Sequence, residues 1–114
     1  MNDLKAFCEN LSWSFLSDTD VPSTTTTPVL IILLLPKWSD LDLEIVSSLI
    51  PMIEISKIPV EVFDIDIFMT QDKLRTMFPG IPVVTQTPVL IQYVEGKMKT
   101  FLQGEEVKNW NNTM

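Results

Sequence analysis

The spacing of apolar positions changes several times along the chain, and each change marks a predicted element. Over residues 2–17, Leu4, Phe7, Leu11 and Phe15 recur at intervals of three and four, which predicts a helix. Trp13 falls off that stripe, and Asn2 or Asp3 is a candidate cap. Residues 21–28 hold Pro, Ser and four consecutive Thr, a loop composition. The run Val-Leu-Ile-Ile-Leu-Leu-Leu at residues 29–35, bounded by Pro28 and Pro36, predicts a strand buried on both faces.

Over residues 40–57, Leu41, Ile45, Leu49 and Ile53, with Val46 and Ile50, predict an amphipathic helix. Pro51 should kink it or end its first half, because proline removes a helical donor. Residues 60–67 alternate and are rich in β-branched side chains, so they predict a second strand, parallel to the first across a right-handed crossover. A short helix over 70–78, capped by Thr70, stops at Pro79-Gly80. After a Pro-rich stretch over 81–87, residues 89–94 and 98–102 read as strands joined at Glu95-Gly96-Lys97. Residues 105–111 allow about two helical turns. The sum is an α/β fold, a three-layer α/β/α sandwich on a central mixed sheet. We expect one domain over 1–114: a helix and Thr-rich loop (1–27), a core (28–104) and a short C-terminal helix (105–114).

Composition narrows the function. The chain has 114 residues, 46% of them hydrophobic, enough for one core. A net charge of −7 makes direct nucleic-acid binding unfavourable and a basic protein partner favourable. The absence of His removes the usual general base and most zinc sites. Cys8 is the single cysteine, so no internal disulfide can form. No signal-peptide pattern opens the chain and no apolar run is long enough to span a bilayer, so a cytoplasmic location without membrane contact is expected. No cofactor is expected.

The residues around Trp38, Pro88, Gly96 and Gly104 resemble the thioredoxin-like superfamily. Thioredoxins run from a buried strand into a Trp-Cys-Gly-Pro-Cys turn that opens a helix. Here the strand meets Pro36-Lys37-Trp38-Ser39-Asp40-Leu41-Asp42, with Ser39 and Asp42 in place of the two cysteines. Pro88, Gly96 and Gly104 reproduce the family's cis-proline and two glycines at eight-residue intervals. Phe63-Asp-Ile-Asp66 is similar to the end of the family's next strand. The resemblance covers residues 29–104. The segment from Asp66 to Pro88 is longer than in an ordinary thioredoxin, Pro51 is displaced, and no first strand is evident. Thr87 to Gly96, with Phe101 and Gly104, is also similar to the phosducin-like thioredoxin domain.

This resemblance implies a protein that has left redox chemistry. That chemistry needs a thiolate at a helix N-terminus and a second, resolving thiol. The family's buried proton acceptor falls at Leu33. Ser39 and Asp42 read most simply as a capping box, and Asp40, Asp42, Asp64 and Asp66 lack the spacing of a calcium loop. The resemblance further implies a cis Thr87–Pro88 bond beside the helix turn, where backbone groups could pair with an extended peptide, although Pro88 could equally serve only the strand entry. The expected function is therefore a non-catalytic protein-interaction module, adaptor or co-chaperone-like, using Trp38, Ser39, Asp42, Thr87 and Pro88. Two alternatives stand beside it: a single-thiol redox protein using Cys8, and a structural subunit that oligomerises or joins a larger assembly.

Overall fold

The computed structural model describes residues 4–16, 20, 22–24, 26–36, 39–65 and 71–111. Five strands form one sheet: β1 (Ser14–Leu16), β2 (Val29–Leu35), β3 (Val60–Asp64), β4 (Val89–Val94) and β5 (Lys97–Gln103), in the order β1-β3-β2-β4-β5. β1 and β2 both run parallel to β3, while β4 is antiparallel to β2 and β5 to β4. β2 lies at the centre, where it is covered on both faces, and its unbroken apolar run matches that position.

The N-terminal reading needs correction. The helix predicted over 2–17 stops early: α1 is Leu4–Asn10, and β1 follows at once. Ser12 has φ +59°, and the Leu11 and Trp13 amides both donate to the Cys8 carbonyl, closing the helix in its last turn. Trp13, off the helical stripe, is buried, and its ring meets Phe7 edge-on with centroids 6.0 Å apart. The first strand is thus present inside the segment read as helix. Asn2, Asp3 and Ser17 lie outside the described residues.

The helix predicted over 40–57 is two segments, α2 (Asp40–Ser47) and α3 (Ile50–Ser56). Pro51 sits in the first turn of α3, where a missing N–H is harmless. Ser48 and Leu49 keep right-handed helical dihedrals, so the chain continues as one bent rod. Lys57, in the left-handed region at φ +57°, ends it with its amide on the Ile53 and Glu54 carbonyls. β3 ends at Asp64, and residues 66–67, with Asp66, lie outside the described residues, as does the predicted cap Thr70. α4 is Gln71–Met77. The hairpin turn is Glu95-Gly96 alone, both at positive φ, with Lys97 already paired to Val94. The C-terminal segment winds as a 3-10 helix over Gly104–Asn109.

Two apolar clusters sandwich the sheet. On the first face, Ile31, Leu33, Leu35, Val60, Val62 and Leu90 pack under α1, α2, α3 and the 3-10 helix. On the second, Leu30, Ile32, Leu34, Phe63, Val89 and Ile91 pack under α4 and Ile81. Because β1 and β2 flank β3, the chain between them must cross one face. Its described residue Ser23 lies on the second, where the Ser23 amide donates at 3.0 Å to the buried carboxylate of Glu61, on the same side of β3 as Phe63.

Candidate functional site

The α2 N-terminus is built as a half capping box. The Ser39 hydroxyl accepts the Asp42 N–H at 3.2 Å, which satisfies one orphan donor of the first turn. The reciprocal bond is missing, because the Ser39 N–H donates to the Pro36 carbonyl instead. Asp42 is 4% exposed, and its Oδ2 has no hydrogen-bond partner among the described residues. A buried polar atom left without a partner typically costs about 1–3 kcal/mol, so capping alone does not account for Asp42. Asp40 is exposed and Leu41, beside it, is 64% exposed. Trp38 lies outside the described residues.

The second half of the site lies at the same end of the sheet. Val89 pairs with Leu34, so residues 87–88 flank the end of β2, where the chain leaves through Pro36 for Ser39. The Thr87–Pro88 peptide is cis. The residues on either side of Thr87 are fixed. The Gln103 side-chain oxygen accepts from the Thr85 and Gln86 amides at 2.9 and 3.2 Å, and the Gly104 amide donates to the Pro88 carbonyl at 2.8 Å. Between them, the N–H and C=O of half-buried Thr87 take no partner among the described residues. The site therefore presents one free donor and one free acceptor on a backbone held at both sides.

Gly104, at φ +63°, permits a close approach here. A methyl group at that position would stand 2.0 Å from the Gln86 side-chain oxygen. Gln86 thus lies across Gly104, next to Thr87. The longer segment before Pro88 is also held from α4, where Gln71 accepts the Val84 N–H at 3.3 Å and donates to the Val84 carbonyl at 2.9 Å. The sequence reading missed Gln71, Gln86 and Gln103. Their amides act on main-chain groups distant in sequence, and no local spacing signals that.

Cys8 is fully buried in the first-face core. Burial, with a smaller contribution from the Glu9 charge, pushes its thiol from the ordinary 9.0 up to about 12. Leu33 is fully buried among apolar side chains. Among the described residues, no three His, Cys, Asp or Glu side chains gather as a metal site, and no helix is long and apolar enough to cross a membrane.

This geometry defines a class. No protein-family model matches the sequence, and no curated protein matches it. Solved structures do. The chain is similar to oxidized mitochondrial thioredoxin 3 from Saccharomyces cerevisiae, at 15% identity and TM-score 0.64, over 86% of this chain and 89% of that one. It is similar to oxidized thioredoxin O2 from Arabidopsis thaliana at 15% identity and TM-score 0.63, over 88% and 89%. Thioredoxin f2 from Chlamydomonas reinhardtii gives 10% identity and TM-score 0.61, over 85% and 88%. The chain has the thioredoxin fold, and at these identities the likeness establishes the fold alone.

Proposed function

We propose that this thioredoxin-fold chain is a non-catalytic protein-interaction module, adaptor or co-chaperone-like, that binds an extended segment of a partner along the Thr87–Pro88 edge. The observation that carries the reading is the Thr87 backbone, unpaired between two anchored neighbours. A free N–H and C=O on a fixed backbone offer the hydrogen-bonding groups that strand addition uses. Ser39 and Asp42 open α2 at the same end of the sheet, and the charge of −7 suits a basic partner. With Ser39 and Asp42 at the two cysteine positions, no thiol pair is present to exchange. The single-thiol alternative needs an exposed, activated Cys8, whereas this thiol is buried and its thiolate disfavoured. A lone buried thiol with no disulfide framework also suits a reducing, cytoplasmic location.

The test is a peptide selected from a displayed library and then N-methylated at one residue at a time. With one free acceptor at Thr87, strand addition predicts that methylation at one peptide residue weakens binding by about tenfold while methylation at its immediate neighbours is tolerated. Uniform tolerance of N-methylation would refute the binding mode. In parallel, the protein should leave insulin disulfides to the uncatalysed rate with dithiothreitol. Catalysis that vanishes in Cys8→Ser would restore the single-thiol enzyme.

A further inference from the structure

The outward side of the α2–α3 rod carries apolar residues with no place in either cluster. Leu41 is 64% exposed, Met52 40% and Ile55 81%, and these are three of the four large hydrophobic side chains exposed among the described residues. With exposed Ser48 they fall at i, i+7, i+11 and i+14, the spacing of one helical seam. The seam is continuous because Ser48 and Leu49 keep helical dihedrals across the junction. Its length is about 20 Å, the span of two heptads. A solvent-facing helix stripe ordinarily carries charged residues. Ile55 in particular is a poorer helix former than Lys or Glu, so the isolated chain gains nothing from it there.

Charge selects the occupant. The exposed ionisable residues on the rod are Asp40, Glu44 and Glu54, against one cation, Lys57, at its end. A second copy of the chain would bring the same acids together, and each copy carries −7. Like-charge juxtaposition of that kind opposes self-association, whereas a cationic partner is drawn in. We infer that the α2–α3 seam docks one amphipathic helix of a partner protein, laying its leucine-type stripe on Leu41, Met52 and Ile55 and its flanking Lys or Arg residues beside Glu44 and Glu54. The seam does not use Thr87 or Pro88, and Met52 and Ile55 lie on α3, beyond the α2 first turn that carries Ser39, Leu41 and Asp42.

The test uses two designed three-heptad helical peptides with the same leucine stripe, one flanked by lysines and one by glutamates. Binding is followed by fluorescence anisotropy at low salt. The lysine peptide should bind saturably and the glutamate peptide should not. Ile55→Lys and, separately, Met52→Lys should each weaken the lysine peptide at least about tenfold, with an unchanged circular dichroism spectrum because both positions face solvent. A Glu44→Lys, Glu54→Lys double variant should reverse the preference between the peptides. The edge-binding peptide of the preceding section should not compete, so failure of either site is read independently. Equal binding of both peptides, or indifference to both Ile55→Lys and Met52→Lys, would overturn the proposal. So would a concentration-dependent dimer in sedimentation that Ile55→Lys dissolves, since a second copy would then be the occupant.

Discussion

The two faces of the sheet are covered by different means. The first face lies under α1, the α2–α3 rod and the 3-10 helix, which deliver Leu4, Leu43, Val46, Leu49, Ile53 and Val107 to the core. A buried polar pair on this face, Trp110 Nε1–H to the Gln92 side-chain oxygen at 3.0 Å, ties the last of these elements to β4. Among the described residues, the second face is covered by the short helix α4 and by connecting chain that includes Ile81 and Val84. Those connections are held by polar anchors: Glu61 on the Ser23 amide, Gln71 on Val84, and Gln103 on Thr85 and Gln86. Apolar burial supplies global stability, while side-chain to main-chain bonds near solvent fix geometry at small net energy. The segment that presents Thr87 is built in the second way, which holds a binding edge in place without burying its free donor and acceptor.

The largest effect that tests this contrast is the loss of the main apolar plug of the second face. Phe78 is fully buried and meets Phe63 edge-on at 5.5 Å. Phe78→Ala should therefore cost about 3–5 kcal/mol in denaturant unfolding. A loss below about 1 kcal/mol would mean that connecting chain, not the aromatic pair, stabilises that face.

On the first face, Cys8 makes a pH-dependent prediction. Its folded pKa of about 12 lies above the ordinary 9.0, so burial of the neutral thiol contributes stability that is fully present below about pH 9. That contribution falls as pH rises from there towards 12, and Cys8→Ala should flatten this alkaline limb. A thiol that reacts promptly with a disulfide reagent at neutral pH in the native protein would show that the face opens at α1.

Asp42 gives a prediction of opposite sign. Asp42→Leu removes a buried Oδ2 without a partner and leaves the backbone N–H that Ser39 caps, so it should stabilise the fold by about 1–3 kcal/mol. Destabilisation would mean that the carboxylate is satisfied in solution by a group the described residues do not supply.

The smallest effect is the most informative about the straps. Gln103→Ala removes the shared acceptor of the Thr85 and Gln86 amides, which lie near solvent. Global stability should change by less than about 1 kcal/mol, while hydrogen exchange at those two amides accelerates about tenfold. Unaltered exchange would indicate that apolar contacts, not Gln103, hold the strap.

The sheet centre was legible in the sequence because its signals are local and redundant. The 29–35 run, the 40–57 periodicity and the Glu95-Gly96 turn each point to their element unaided. The first strand was not legible, because Phe15 continues the helical spacing of Leu4, Phe7 and Leu11, and the break depends on Ser12 at a positive φ. Trp13 out of phase was the only trace of it. At the candidate site, Ser39 as a cap and the position of Pro88 were readable. The unpaired Asp42 oxygen, the Gln103 clasp and the free Thr87 backbone depend on contacts between segments far apart in sequence, which no pattern of residue types encodes.

The central claim is that Thr87 holds a free donor and acceptor for a partner strand, and amide hydrogen exchange at Thr87 tests it directly. In the free protein the Thr87 amide should exchange fast while the neighbouring Gln86 amide, bonded to Gln103, is slowed. Saturation with the selected peptide should protect the Thr87 amide by at least about tenfold. A Thr87 amide already protected in the free protein, or one that stays fast when the peptide is bound, would contradict the account.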